Sequence, residues 1–101
     1  MIADMIPKRV AYTQLAEECT ELAHAALKLG RKADPAQSYA MEEDDCKRWL
    51  DNLIEEIADV SVCIDVIMSY FDKWEVIEKI TEFKAGKVKR WEDRLREGGN
   101  E

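Results

Sequence analysis

Glu18 and Glu21 stand three residues apart in LAEECTEL, and Glu56 and Asp59 stand three apart in LIEEIADV. On a helix that spacing is close to one turn, so each pair projects from one side of its helix. Two such helices packed side by side would bring four carboxylates together. Carboxylates gathered in a small space repel one another unless cations sit between them, and hard divalent ions such as Mg²⁺ take oxygen ligands of this kind. The chemistry open to these residues is therefore divalent-metal binding, provided that their helices turn them inward.

The elements that must position them are long and helical. Two prolines and four glycines are all that interrupt the 101 residues. No strand-like alternation and no internal repeat is present. Leu15, Cys19, Leu22, Ala26 and Leu29 recur at the spacing of one helical face, which predicts a first helix over 7–29, stopped by Gly30. A polar connection over 30–40 contains Asp34-Pro35. A second helix is expected over 41–70, with Glu42, Glu43, Asp44 and Asp45 at the end where a helix favours negative charge. A third is expected over 72–96, opened by Asp72 as N-cap with Glu75 as its capping-box partner and closed by Gly98-Gly99. The expected fold class is all-α: one domain over 1–101, with three main helices per protomer. A unit this short buries a limited share of its surface, so homo-oligomerisation is expected to complete the helical bundle.

Composition narrows the function. Apolar residues make up 47% of the chain and charged residues 37%, with a net charge of -7. An acidic protein repels nucleic acid and anionic membranes, and a phosphorylated ligand would need a metal to offset the charge. No apolar run approaches the roughly 20 residues of a membrane span. The N-terminal MIADMIPKRV has no signal-peptide pattern. Cys19, Cys46 and Cys63 form no CxxC pair, which argues against a zinc site. Cys19 and Cys63 fall on apolar positions and are expected to be small buried hydrophobes in a reduced, cytoplasmic compartment.

Helical azimuths, at about 100° per residue, sharpen the reading of the acids. Glu18 falls at the margin of the first apolar stripe, Glu21 further round, and Glu17 near the opposite side. On the second helix the polar face is Asp51, Glu55, Asp65 and Ser69, whereas Glu56 and Asp59 lie in the apolar arc. An unpaired buried carboxylate is costly, so something must compensate them. On the third helix Lys84 lies within the apolar arc of Val76, Ile77, Ile80, Phe83, Trp91 and Leu95, with Lys87 and Arg94 beside it. Buried salt bridges such as Glu56 with Lys84 are the plain alternative. Two acid pairs on adjacent helices favour a metal-centred site. A di-iron bundle would need two Glu-x-x-His motifs, and Glu21 with His24, the only histidine, supplies one. His24 reads as a solvated residue. Trp49, Trp74 and Trp91 read as core or interface residues.

The sequences YTQLAEECTELAHAALKL and NLIEEIADVSVCIDVI, carrying Glu17-Glu18-x-x-Glu21 and Glu56-x-x-Asp59, resemble the two motif helices of the MazG-like all-α nucleoside triphosphate pyrophosphatases. The likeness covers about residues 11–70 well and the third helix loosely. It implies a Mg²⁺-dependent enzyme, with Mn²⁺ as a substitute, that cleaves a nucleoside or deoxynucleoside triphosphate to the monophosphate and pyrophosphate by water attack at the α-phosphorus. By resemblance the metal ligands are Glu18, Glu21, Glu56 and Asp59. Glu17 supports them or orients water, and Lys84 and Lys87 meet the β- and γ-phosphates. Members form homodimers or dimer-pair tetramers. The chain departs from the family in a longer gap between Glu21 and Glu56, in Thr20 where many members have Gly, and in the lack of an Asn among the bases of the last helix. Tyr12, Trp49 and Tyr70 are candidates for contact with the base. The competing class is a non-catalytic helical regulator that keeps the fold and binds through its surface.

Overall fold

The computed structural model describes residues 2–33 and 43–99. Those residues are all-helical, with no strand among them: α1 (Ile2–Met5), α2 (Lys8–Ala33), α3 (Glu43–Met68) and α4 (Lys73–Gly99). The chain divides into two compact units, 1–70 and 71–101.

In the first unit α2 and α3 pack along their length and α1 touches α3. The covered positions of α2 are Ala11, Leu15, Glu18, Leu22, Ala25 and Leu29, at alternating steps of four and three. Trp49, Leu53, Glu56, Val60, Cys63 and Ile67 repeat those steps on α3, with Val66 and Met68 beside them. This is the seam of two helices packed nearly parallel or antiparallel. Ala11, Ala25 and Val60 are its most deeply covered members among the described residues. The small Ala side chains let the two backbones approach closely, and van der Waals contact falls off steeply with any gap.

The ends of this hairpin are tied by specific bonds. The Pro7 carbonyl accepts the first helical bonds of α2, from the amides of Val10 (2.9 Å) and Ala11 (3.2 Å). Pro fits there because it has no N–H to strand at a helix start. After α3 the Tyr70 amide donates to the Ile67 carbonyl (3.0 Å), a tighter turn that ends the helix. The Tyr70 hydroxyl donates to the Ile6 carbonyl (3.3 Å), and Lys8 lies over the Tyr70 ring at 5.5 Å. Tyr70, a candidate for base contact, thus fastens the N-terminal segment to the end of α3.

The second unit is the single helix α4. The Asp72 carboxylate accepts from the amides of Trp74 (3.1 Å) and Glu75 (3.2 Å), which is the N-cap expected from the sequence. The Glu75 carboxylate pairs with Lys79 one turn on (3.3 Å). Phe83, Val88, Trp91 and Leu95 are all more than half exposed.

Several sequence expectations need correction. Gly30 does not stop α2, which continues through Arg31 and Lys32 to Ala33. No glycine among the described residues takes a positive φ, so Gly30 costs the helix about 1 kcal/mol of propensity without ending it. The good helix formers that follow, and the bases Arg31 and Lys32 in the last turn, offset that cost. α4 likewise runs past Arg96 to Gly99. The four-residue α1 precedes the first helix expected from the sequence. Cys19 is exposed, because the seam runs through its neighbour Glu18, while Cys63 is half-buried. Ala26 is exposed and Ala25 buried, so at this step, as at Cys19, the covered residue is the preceding one, while Leu15, Leu22 and Leu29 lie in the seam as expected. Within its own unit α4 leaves Trp74 and Trp91 78% and 67% exposed, open to an interface. His24 is exposed, as expected. Most of the expected 30–40 connection lies outside the described residues. No described helix is long and apolar enough to cross a membrane.

Candidate metal centre

Two glutamates interrupt an otherwise apolar seam, Glu18 on α2 and Glu56 on α3. Each occupies a step of the four–three pattern where its neighbours place Leu, Val, Cys or Ala, so both carboxylates are drawn in by the packing of the residues around them. Glu21, one turn on from Glu18, flanks the seam and is exposed. Carboxylate oxygens of Glu18, Glu21 and Glu56 lie within 4.8 Å of one another.

The hydrogen bonding of the group is incomplete. Gln14, one turn before Glu18, donates its Nε2 to Glu18 Oε1 at 2.7 Å. Glu18 Oε2 and Glu56 Oε2 are buried and take no hydrogen bond. A buried carboxylate oxygen left without a partner forfeits solvation that nothing repays. The proton affinity of Glu56 responds accordingly. Its pKa is raised, first by burial, then by the charges of Glu21, Asp59 and Glu18, and by a side-chain hydrogen bond with Glu21. The Cys63 thiol is also pushed up, by burial and by the charges of Glu18 and Asp59, so it stays protonated and is a poor nucleophile.

Of the residues singled out in the sequence, Glu18, Glu21 and Glu56 are brought together. Asp59 is close enough for its charge to act on Glu56, yet it is exposed. The sequence reading put it in the apolar arc. That arc spans most of α3, and α2 covers only part of it: Leu50, Ile54, Ile57 and Val62 are about half exposed. Glu17 is exposed and stands outside the cluster. Lys84 and Lys87 are exposed on α4, beside Val88, Trp91 and Leu95.

Two features of the hairpin involve residues that their sequence pattern does not single out for this role. Gln14 buttresses Glu18, and the four-residue spacing on one helix could have revealed it. At the far end of the hairpin, the ammonium groups of Lys28 and Lys32 lie 5.9 and 5.1 Å from the centre of the Trp49 ring, both within cation–π range. The i, i+4 spacing of the lysines was visible, but the register that sets Trp49 opposite them was not.

The donor set suits a hard divalent cation. It is all oxygen, it carries excess negative charge, and two of its oxygens are buried without partners. No family model matches the chain, and no curated protein or solved structure matches it either.

Proposed function

We propose that the α2–α3 hairpin is the catalytic core of a Mg²⁺-dependent nucleotide pyrophosphohydrolase, which cleaves a nucleoside triphosphate to the monophosphate and pyrophosphate. The observation that carries this reading is the pair of partnerless carboxylate oxygens, Glu18 Oε2 and Glu56 Oε2, within a cluster of acids in a helical seam. The resemblance of the two acid-bearing segments to the MazG-like motif helices supplies the reaction.

Glu18, Glu21, Glu56 and Asp59 would hold the ion, Mg²⁺ or in its place Mn²⁺. When bound, such an ion supplies charge neutralisation for phosphate oxygens and activation of water at neutral pH. The residues of the chain prepare that role. Gln14 fixes the Glu18 carboxylate through one oxygen and leaves the other for a ligand. The raised pKa of Glu56 means that a proton competes for this carboxylate more strongly than for a free one, and a cation would compete with that proton. Glu21 and Asp59 stand at the solvent edge, where a substrate arrives. Glu17 would act only at one remove, by orienting water or supporting Glu18.

The working form is proposed to be a homodimer or a dimer-pair tetramer. Each unit leaves large apolar side chains exposed, Leu50, Ile54, Ile57 and Ile64 on α3 and Phe83, Trp91 and Leu95 on α4, which a second copy would cover.

The test is incubation of the full chain with each ribo- and deoxyribonucleoside triphosphate and Mg²⁺, with pyrophosphate as the readout. Release from at least one nucleotide is expected. No release from any of them leaves the non-catalytic regulator as the better reading.

A further inference from the structure

The pairing of α2 with α3 has a consistent register. Glu21 meets Glu56, and Lys28 and Lys32 meet Trp49. Lys28 is seven residues beyond Glu21, and Trp49 is seven residues before Glu56. Seven residues are almost two full turns, so these side chains leave their helices at nearly the azimuth of the acids, about 10 Å further along. Lys32 falls about 20° to the other side of the azimuth of Glu21. The lysine pair and the acid cluster therefore share one face of one hairpin.

The same face is apolar at its other end. Beyond the acids, Val10, Gln14, Val62, Cys63 and Val66 line a depression of about 170 Å³. The face thus runs from an apolar hollow, through a cluster of acids, to a pair of ammonium groups. That polarity matches a nucleoside triphosphate, which has a flat heterocycle at one end and most of its negative charge at the other.

Resting on the pyrophosphohydrolase reading, we infer that Lys28 and Lys32 hold the terminal phosphates of the substrate, with its nucleoside directed to the hollow beside Gln14. Two like charges gathered at one indole ring repel each other, and a bound polyphosphate relieves that repulsion by accepting from both. Long helical side chains lean toward the N-terminus of their own helix. Either lysine that leaves the ring therefore extends toward the acids. In the scissile step water attacks the α-phosphorus and gives up a proton to solvent, the bond from that phosphorus to the bridging oxygen breaks, and pyrophosphate departs with the electron pair. Ammonium groups on the terminal phosphates stabilise that departing charge. This assigns to α2, within the unit that holds the acids, the role that the family resemblance gives to Lys84 and Lys87 on α4.

The experiment uses the full chain with Trp74→Phe and Trp91→Phe, so that Trp49 reports alone, and titrates inorganic tripolyphosphate in the presence of Mg²⁺. Tripolyphosphate should change the Trp49 emission. Lys28→Gln with Lys32→Gln should weaken its binding at least tenfold and raise KM for the triphosphate by a similar factor. Lys28→Arg with Lys32→Arg should restore binding, and the glutamine variant should keep its helicity and melting midpoint, which a merely structural role for the cation–π contact would not allow. Lys84→Gln with Lys87→Gln should change tripolyphosphate binding less than twofold. Val62→Phe, which fills the hollow, should raise KM for the nucleotide and leave tripolyphosphate binding unaltered. If the unsubstituted chain releases no pyrophosphate from any nucleotide, this inference falls together with the reading beneath it. If it does release pyrophosphate and the Lys28/Lys32 glutamine variant binds tripolyphosphate as tightly, only the lysine assignment is overturned. A weakened affinity for nucleoside monophosphate with tripolyphosphate binding unchanged would place the base at Trp49 and overturn it as well.

Discussion

The two units of this chain carry opposite charges in different settings. In the α2–α3 hairpin, Glu18 and Glu56 take positions in a packed seam, and the packing leaves an oxygen of each without a partner. On α4, Lys84 and Lys87 stand in water on a helix whose apolar residues are also exposed. Both sets looked equally anomalous in the sequence, as charges inside apolar arcs. They differ in what they cost. A carboxylate held in a seam forfeits hydration and must be repaid by a proton, a partner or a cation. An exposed lysine forfeits nothing, so its azimuth says little about its purpose. A charged residue is informative in proportion to the free energy its position demands.

That contrast can be broken or sharpened by substitution, and the largest effect is expected at the seam. Glu56→Gln should lower Mg²⁺-dependent pyrophosphate release by about 1000-fold or more, since a metal contributes several kcal/mol to the transition state and each decade is about 1.4 kcal/mol. Glu17→Gln should change it far less. Equal losses in both variants would mean that the seam position is not what matters.

On α4, with its open face covered by a second copy as proposed, Trp91→Ala should cost about 3 kcal/mol and shift the sedimenting species to a smaller one. A change within about 0.5 kcal/mol and no change in size would mean that Trp91 stays wet. A smaller effect is expected at Gly86, in the interior of α4, where an added Cβ meets nothing within 4 Å. Gly86→Ala should stabilise the protein by about 1 kcal/mol in a denaturant titration. A loss of stability there would reveal a close approach by another copy.

The metal-free hairpin should also carry a pH signature. The raised pKa of Glu56 means that the folded chain holds this proton more tightly than the unfolded chain does. Its contribution to stability is complete below the ordinary carboxyl value of 4.5 and is lost as pH rises through the raised value. The melting midpoint without metal should therefore rise as pH falls from neutrality toward that value. Glu56→Gln should flatten this part of the profile, and saturating Mg²⁺ should reverse it, because the cation competes with the proton. A profile identical in the variant would remove Glu56 from the account.

How far the sequence carried the structure follows the same logic of local and non-local control. The three long helices and the Asp72 cap were readable, because helical periodicity and capping act within a few residues. Glu56 was readable as an inward acid because its own helix is apolar on both sides of it. Asp59 was misplaced because the wide apolar arc of α3 does not say which part α2 covers. Cys19 is exposed because the covered step between Leu15 and Leu22 falls on Glu18, a choice set by the contact with α3 and not by α2 alone. The passage of α2 through Gly30 depends on the residues that follow and on the contact of Lys32 with Trp49, a residue in another helix. The meeting of Lys28, Lys32 and Trp49 needs the register between helices, which no single segment encodes.

The central claim is that the seam acids hold a divalent cation, and titration of Mn²⁺ into the full chain, followed by electron paramagnetic resonance of the free ion, tests it most directly. Saturable loss of the free-ion signal is expected with the unsubstituted chain, and at least about tenfold weaker binding in Glu56→Gln at unchanged helicity. Retention of the full free-ion signal by the unsubstituted chain, or equal binding by the variant, would contradict it.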